Sequence, residues 1–314
     1  MARVVALTFA AALVLGRAHA DPAAMEIWPS GPVPGEDGFV CGPEAVITTV
    51  GPYASARRFY NVSRPTLTPY IVTNGSGAAV VIAPGGGYSH LAYDDEGTRV
   101  AARLNAGGVS VLLLKYRVPL RPTAPGAFWA AAQLMDAQRA MGVARLHAAE
   151  LGFNASRLGF GGFSAGGHLS ARAANIWETR LYARVDAADD LPCRPDFSFL
   201  IYPWMLLDNN NASSHELSPE LNVTAAHPPA FIAQNMDDVV ALPDGALTYT
   251  SALHAAHAPP PVVHLYPKGG HGFGVCAELN PVGAFELCCE WPVHALRFMQ
   301  GLGLAPGWPN KTQA

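Results

Sequence analysis

The sequence predicts a doubly wound α/β protein, in which helices cover both faces of a mostly parallel β-sheet. From residue 78 onward, continuous apolar runs typical of strands buried on both faces alternate with helical patterns. One such run leads through Gly162-Phe-Ser-Ala-Gly166 directly into a helical pattern. Because no linker or repeat divides the 314 residues, we expect residues 21–314 to form a single domain, with its core between about 78 and 303.

Residues 1–20 have the pattern of a secretory signal peptide. Arg3 gives a positive start, residues 4–15 are an apolar stretch of 12 residues, and Ala18-His-Ala20 is an A-x-A cleavage site. A membrane anchor is the alternative, but a helix needs about 20 apolar residues to span a bilayer. We therefore expect a protein without a stable membrane anchor that is secreted to the extracellular space or the endomembrane lumen.

Net charge and N-glycosylation sequons indicate what surrounds the protein. The formal net charge of −4 becomes −6 when residues 1–20 are removed, because Arg3 and Arg17 leave with them. The chain has no basic stripe, so nucleic acid is not expected as a partner. Six N-x-S/T sequons in a secreted chain predict glycosylation of surface segments. The sequons lie at Asn61, Asn74, Asn154, Asn211, Asn222 and Asn310.

Five cysteines fit an oxidising compartment. They are Cys41, Cys193, Cys276, Cys288 and Cys289. An odd number leaves at least one thiol free or paired between chains. Cys276 with either Cys288 or Cys289 would close a short loop; the sequence does not choose between them, and the partner of Cys41 stays open. No cysteine or histidine spacing supports a metal site, and we expect no cofactor.

The chain also predicts individual elements. Strands are expected over residues 45–50, 66–72, 78–83, 109–116, 158–160, 197–202, 230–233 and 262–266. Helices are expected over residues 96–104, 127–151, 169–177, 242–257 and 291–302. A Gly/Pro/Ser/Arg connection joins the first two strands, and Pro69 marks the second as an edge strand. Residues 205–229, which carry two sequons, form either a partial lid over the site or a glycosylated surface excursion.

Ser164 is the predicted nucleophile. A serine with glycines two residues on either side, between a strand and a helix, is the nucleophile-elbow signature, because the tight turn leaves no room for side chains at the flanks. The motif alone is common by chance, and a purely structural glycine turn is the alternative reading. A serine hydroxyl also needs a base to remove its proton, and the base needs a carboxylate to hold its tautomer.

The chain supplies both partners, each after a later strand. His271 stands between glycines after residues 262–266, as a side chain reaching into a cleft would, and we expect it to be the base. Asp237 and Asp238 follow residues 230–233 and compete for the third role. Adjacent residues point in different directions, so only one can face His271. We favour Asp238, with Asp237 as a solvated or capping carboxylate.

Backbone N–H groups are expected to stabilise the negative charge that develops on a carbonyl oxygen under attack. One good donor is worth roughly 3–4 kcal/mol of barrier. The expected donors are Ala165, which follows the nucleophile, and the glycine loop Gly85-Gly86-Gly87. A phosphate-binding loop is the alternative, but the Gly-Lys-Ser/Thr that it would need is absent.

With these motifs in place, the chain resembles α/β-hydrolase-fold esterases. In particular, it resembles the acetyl-xylan-esterase-like, "xylanase B-like" carbohydrate esterases related to the hormone-sensitive-lipase branch. The resemblance is carried by Gly85-Gly-Gly-Tyr88, Asp95-Glu96-Gly97, Leu114-Lys-Tyr-Arg117, Gly162-Phe-Ser-Ala-Gly-Gly-His168, Arg194-Pro-Asp-Phe197, Asp238 and Lys268-Gly-Gly-His-Gly-Phe-Gly274.

The resemblance implies a catalytic Ser164, Asp238 and His271, with Gly86, Gly87 and Ala165 donating to the oxyanion. Two features depart from the family pattern. Pro84 stands where the lipase-like branch usually has histidine, and a cysteine-bearing insertion over 275–290 is longer than in bacterial members.

Three functions compete on these residues. The first is a secreted serine carboxylic-ester hydrolase that removes short acyl groups, such as acetyl, from a carbohydrate or small-molecule ester through an acyl-enzyme. The second is a prolyl-oligopeptidase-like serine peptidase, but such enzymes usually carry a large extra domain, and only residues 1–77 precede the core here. The third is a non-catalytic binding protein on a hydrolase scaffold, which would typically have lost a member of the triad.

Overall fold

The structure is a computed structural model that describes residues 21–36, 38–50, 55–121, 129–276 and 287–305. The expected signal peptide, residues 1–20, and the sequon at Asn310 lie outside the described residues. Within those ranges, no helix is both long and apolar enough to cross a membrane.

Strands and helices alternate along most of the chain, as predicted. The strands are β1 (Met25–Glu26), β2 (Ala45–Val50), β3 (Ser55–Tyr60), β4 (Thr66–Tyr70), β5 (Ala79–Ala83), β6 (His90–Leu91), β7 (Ser110–Lys115), β8 (Leu158–Phe163), β9 (Ser198–Ile201), β10 (Ala230–Asn235) and β11 (Val262–Tyr266). The helices are α1 (Arg99–Ala106), α2 (Ala131–Leu146), α3 (Ala148–Leu151), α4 (Ala165–Asn175), α5 (Pro243–Ala255) and α6 (Trp291–Gly301).

An eight-stranded sheet forms the centre of the molecule, in the order β1-β4-β7-β5-β8-β9-β10-β11. The six strands from β7 to β11 in this order pair in parallel, while β4 pairs antiparallel with β7 and β1 antiparallel with β4. The predicted mostly parallel sheet is thus confirmed. Because parallel strands end at the same edge, the loops that follow β5, β8, β10 and β11 meet there.

Helices cover both faces of this sheet, as predicted. Adjacent residues of a strand point to opposite faces, and β5 illustrates the result. Val81 packs in a buried cluster with Leu134 of α2 and Leu169 of α4. Its neighbour Val80 packs in another cluster with Leu104 of α1. Full burial of such a side chain contributes about 1.5–3 kcal/mol, so β5 is anchored from both sides.

A second sheet of three strands, β2-β3-β6, was not predicted as such. The segment between the first two predicted strands, expected to be a connection, contains β3, which pairs antiparallel with β2 and with the short β6. Strand β4, which Pro69 was expected to mark as an edge strand, is an edge for only part of its length. Strand β1 pairs with β4 only at Thr66 and Leu67, so no strand of the described chain pairs with Pro69 on the side opposite β7.

Three predicted helices differ in their bounds. The one predicted over 127–151 is divided at His147 into α2 and α3, and residues 127–128 lie outside the described ranges. The segment predicted as a helix over 96–104 consists of a π-helical turn, Asp94–Thr98, that leads into α1. Helix α4 begins at Ala165 rather than at residue 169. Gly166 and Gly167 weaken the helical pattern because glycine disfavours helix interiors, so the sequence places the start of α4 too late.

A disulfide joins Cys276 and Cys289, with their Cα atoms 5.3 Å apart. Of the two pairings that the sequence left open, the structure has the one with Cys289. Cys288 lies outside this bond, with its sulfur within 4.8 Å of the other two. Cys41 is half-buried and Cys193 is buried, both as thiols.

Candidate active site

Ser164 occupies a strained turn between β8 and α4. Its φ of 52° and ψ of −116° lie in a region that side chains rarely adopt. The flanking glycines are sterically required. A Cβ at Gly162 would overlap the carbonyl oxygen of Gly166, and a Cβ at Gly166 would overlap the carbonyl oxygen of Ala83. The predicted elbow is therefore present in the backbone, and it projects the serine from the end of β8.

The structure brings the predicted nucleophile, base and carboxylate together. The Oγ atom of Ser164 lies 2.8 Å from Nε2 of His271. Nδ1 of the same ring lies 2.8 Å from Oδ2 of Asp238. A carboxylate only accepts hydrogen bonds, so Nδ1–H donates to Asp238 and leaves Nε2 to accept the proton of the serine hydroxyl. The side chain of Asp238 is fully buried and that of His271 is 22% exposed.

Asp238 is held in place by its own loop. Its Oδ1 accepts hydrogen bonds of 2.9 Å from the backbone N–H groups of both Val240 and Ala241. Gln234 donates to Oδ2 over 3.3 Å. The carboxylate therefore has a fixed direction when it meets His271, and it is the aspartate that we favoured.

Asp237 is exposed, as expected for a solvated or capping carboxylate, and it also binds the loop that carries His271. It accepts hydrogen bonds from the N–H groups of Gly270, at 2.9 Å, and Gly269, at 3.3 Å. These bonds, that from Gly270 most of all, hold the pKa of Asp237 below its usual value. Asn235 donates to the carbonyl oxygen of Gly270 over 2.9 Å. The loop after β10 thus fastens the loop that carries His271.

The glycine loop packs directly against the elbow. A Cβ at Gly85 would lie 2.6 Å from the carbonyl oxygen of Phe163 and 2.8 Å from Cβ of Ser164. Gly86 and Gly87 have φ values of +126° and +61°, and both line the same cavity as Ser164. Ala165 is the first residue of α4, so its N–H has no partner within the helix. The three predicted donors therefore surround Ser164.

The cavity above Ser164 has a volume of about 390 Å³. It is lined by Arg58, Gly86, Gly87, His90, Ala92, Asp95, Glu96, Ser164, Trp204, Val240, His271 and Gly272. None of residues 205–229 lines it. Leu206 and Leu221 of that segment are buried against α5 and β10 instead, so the segment packs beside the site rather than over the cavity.

Glu96 is a site residue that the sequence did not identify. The acidic run Asp94-Asp-Glu96 at the start of a helical pattern predicts carboxylates that cap the helix, and for Glu96 this prediction is wrong. Its carboxylate is buried, with Oε2 accepting the Gly85 N–H over 2.5 Å and Oε1 accepting the Tyr202 hydroxyl over 2.8 Å. Burial raises the pKa of Glu96, although both hydrogen bonds act in the opposite direction.

Tyr202 extends this contact to the loop that carries His271, residues 267–276, which we call the histidine loop. Its hydroxyl accepts a hydrogen bond of 3.1 Å from the N–H of Gly274, and its ring lies edge-on to His271, with centroids 5.1 Å apart. Glu96 and Tyr202 therefore connect the glycine loop to the loop that carries the base. The signal in the sequence was Asp95-Glu96-Gly97, which belonged to the resemblance but had no assigned role.

His168 is buried within α4. Its Nδ1 lies 2.9 Å from the hydroxyl of Tyr88, and burial lowers its pKa. A buried polar network also forms around Arg117 and Asp136, which are both fully buried and bonded over 2.9–3.0 Å. Arg139, in contrast, binds Asp186 and Asp189 rather than Asp136.

Known proteins share this fold. A family model described as the α/β hydrolase fold matches residues 80–226, which include the glycine loop and Ser164. An acetylxylan esterase of Xylanibacter ruminicola is 30% identical over 228 residues, which are 65% of this chain and 43% of that relative. The chain spans between 33% and 52% of the length of the curated relatives it matches.

Solved structures with the same fold include esterases. An acetyl ester-xyloside bifunctional hydrolase from Caldicellulosiruptor lactoaceticus has a TM-score of 0.70 at 25% identity, over 91% of this chain and 98% of that one. The chain has the α/β-hydrolase fold and is similar to acetylxylan esterases. An esterase from Thermogutta terrifontis, Est2, has a TM-score of 0.62 at 20% identity, over 79% and 93% of the two chains, and shares the fold.

One departure of this α/β-hydrolase-fold protein from the pattern of the esterases it resembles now has a structural explanation. The carbonyl oxygen of Pro84, at the start of the glycine loop, accepts a hydrogen bond of 2.6 Å from the buried hydroxyl of Tyr116. A proline lacks the N–H and the side-chain donors of histidine, yet its carbonyl still anchors the loop. The backbone donors of Gly86 and Gly87 do not depend on the side chain at position 84.

Proposed function

We propose that this protein is a serine hydrolase that cleaves carboxylic esters through an acyl-enzyme. The observation that carries the proposal is the unbroken series of hydrogen bonds from Ser164 through His271 to the buried Asp238. A structural serine on a glycine turn has no need of a histidine at 2.8 Å whose other nitrogen is held by a carboxylate.

The geometry supplies each step of acyl transfer. His271 Nε2 removes the proton of Ser164 while Oγ attacks the ester carbonyl, and Asp238 stabilises the imidazolium that forms. The N–H groups of Gly86, Gly87 and Ala165 surround the carbonyl oxygen as it becomes negative. His271 then gives its proton to the departing alcohol. Water, activated by the same imidazole, releases the acyl group and restores the hydroxyl of Ser164.

We further propose that the acyl group is short, in particular acetyl, and that the alcohol is a carbohydrate. This proposal is supported by the similarity of the chain to an acetylxylan esterase and to an acetyl ester-xyloside hydrolase. The cavity of about 390 Å³ lies near the lower end of the usual size of small-molecule sites, so its volume suits a short acyl group together with one sugar residue.

Replacing Ser164 by alanine tests the mechanism. We expect Ser164→Ala to lower kcat for 4-nitrophenyl acetate by at least about a thousandfold, because the nucleophile is lost. Ser251→Ala, which removes an exposed hydroxyl from α5, is the matched control and should keep wild-type turnover. A fluorophosphonate probe should label the wild type and the control but not Ser164→Ala. Wild-type turnover by Ser164→Ala, or failure of the probe to label the folded wild type, would contradict the proposal.

We also propose that the protein is secreted and N-glycosylated. The signal-peptide pattern supports this, and so does the exposure of the sequons at Asn74, Asn154, Asn211 and Asn222; Asn61 is half-buried. A eukaryotic secretory host should release a protein that begins at Asp21 and loses mass on treatment with peptide-N-glycosidase F. Retention in the cytosol with residues 1–20 intact would contradict secretion, and an unchanged mass would contradict glycosylation.

A further inference from the structure

Two neighbouring arginines on β3 have opposite surroundings. Arg57 points away from the cavity and binds two carboxylates, with its Nη2 2.7 Å from Asp94 and its Nη1 2.5 Å from Asp21. Arg58 points to the other face of the strand and lines the cavity above Ser164. Its Nε is buried, and among the described residues it has no hydrogen-bond partner and no ion pair. A cation with a buried, unsatisfied donor in a cavity is suited to bind an anion.

The other charged groups of the cavity are already engaged. Asp95 forms an ion pair with Arg99. Glu96 accepts its two hydrogen bonds from Gly85 and Tyr202. His90 stacks on Tyr60, with ring centroids 5.1 Å apart, and burial followed by the nearby Arg58 lowers its pKa, which favours the neutral ring. No carboxylate of the described residues forms an ion pair with Arg58, so its guanidinium remains available to a ligand in the cavity.

Arg58 lines the same cavity as His271, which in the proposed mechanism returns its proton to the alcohol oxygen. Asp95, which also lines this cavity, contacts the loop that carries His271: a Cβ at Gly274 would lie 2.8 Å from the Asp95 carbonyl oxygen. The alcohol half of the ester leaves beside His271, so a charged group on the alcohol shares this cavity with Arg58.

We propose that Arg58 binds a carboxylate on the alcohol half of the substrate. This rests on the proposed function and specifies its substrate class: esters of anionic alcohols, such as O-acetylated sugars of the uronic acid type. The guanidinium presents N–H donors in a fork that matches a carboxylate, and the partly enclosed site strengthens the contact. Discrimination against the uncharged analogue should be about tenfold or more, as expected for one charge-assisted hydrogen bond.

The test uses two esters that differ only at C6: the monoacetate of methyl glucuronoside has a carboxylate there, and the monoacetate of methyl glucoside has a hydroxymethyl group. We expect wild-type kcat/KM to favour the glucuronoside by about tenfold, and Arg58→Gln to bring the ratio close to one. Arg58→Lys keeps the charge without the fork and should retain part of the preference. Arg103→Gln, an exposed arginine on α1, is the matched control and should keep the wild-type ratio. Labelling by a fluorophosphonate reports that each variant has a folded site.

The outcomes separate the two proposals. Equal kcat/KM for both monoacetates, or a preference that Arg58→Gln leaves intact, overturns the role of Arg58 while ester hydrolysis stands. Hydrolysis of neither ester, with no labelling of wild type, overturns the proposed function and this inference with it. A second pair of esters, mono(4-nitrophenyl) succinate and 4-nitrophenyl acetate, places the charge on the acyl half. An Arg58-dependent preference for the succinate overturns the assignment to the alcohol half.

Discussion

Asp237 and Asp238 are adjacent in the chain, yet they contact different parts of the site. Asp238 turns inward to His271, and Asp237 turns outward to the N–H groups of Gly269 and Gly270. The first orients the ring of the base and the second orients the loop that carries it. A two-residue segment after β10 thus fixes both the direction and the position of His271.

Glu96 is the residue that joins the two halves of the site. It accepts from Gly85 in the glycine loop and from Tyr202, which in turn accepts from Gly274 in the histidine loop. With both carboxylate oxygens engaged, any change at Glu96 must leave a buried donor without an acceptor. We therefore regard Glu96 as a positioning residue for the backbone donors of Gly86 and Gly87.

Glu96→Gln should lower kcat for 4-nitrophenyl acetate by about tenfold, with a smaller change in KM. The amide keeps the size of the side chain but offers one acceptor oxygen in place of two, so one buried donor is left without a hydrogen bond. This costs roughly 1–3 kcal/mol, and we expect the glycine loop to shift as a result. Steady-state kinetics measures the effect. Tyr202→Phe removes the donor at the other end and serves as the partner variant.

The pair of variants distinguishes positioning from a general loss of stability. If Glu96 and Tyr202 act as one unit, the double variant should be about as active as the worse of the two single variants. Fully additive losses of kcat, or a thermal transition of Glu96→Gln that lies below the assay temperature, would mean that the carboxylate only supports the fold.

Local motifs explain why some residues of the site could be predicted and others could not. Ser164 and His271 stand in glycine-flanked patterns, each at the end of an apolar run, and Asp238 follows another such run in the required order. Glu96 and Arg58 have no pattern of their own. Glu96 meets Tyr202 across 106 positions of sequence, and that contact exists only once the sheet has formed.

At the scale of the elements, buried strands were the easiest to predict. All residues of β5 and β8 are buried, and a continuous apolar run suffices to reveal such a strand. β3 was missed because it contains Arg57 and Arg58 and pairs outside the main sheet. Its two faces do not differ in hydrophobicity, because both neighbouring side chains are arginines. Arg57 faces two carboxylates, and Arg58 faces the cavity. The strand that the pattern did not reveal is the one that we propose to set specificity.

At the scale of the whole molecule, the site is assembled from distant parts of the chain. The glycine loop, the elbow and the histidine loop follow three different strands, and the parallel order of the sheet brings them to one edge. The small sheet β2-β3-β6 contributes Arg58 and His90 to the lining of the cavity. Because the loops at this edge carry the residues of the site, a change that destabilises these loops also alters the geometry of the site.

The Cys276–Cys289 disulfide is the covalent contribution to that stability. It joins the end of the histidine loop to the segment before α6, across 13 positions of sequence. Closing a loop of this size stabilises a folded chain by roughly 3 kcal/mol, so the double variant Cys276→Ser/Cys289→Ser should melt about 5 °C below the wild type. Differential scanning calorimetry of the oxidised proteins measures the difference.

A reductant provides the control, because it breaks the same bond without a substitution. Wild type treated with dithiothreitol should melt near the temperature of the double variant, and the double variant should not respond to the reductant. Cys288 makes this comparison necessary, since its sulfur lies within 4.8 Å of both partners and remains in the double variant. Equal melting temperatures of oxidised wild type and double variant would show that the bond adds nothing. A further fall of the double variant in dithiothreitol would point to a second disulfide that includes Cys288.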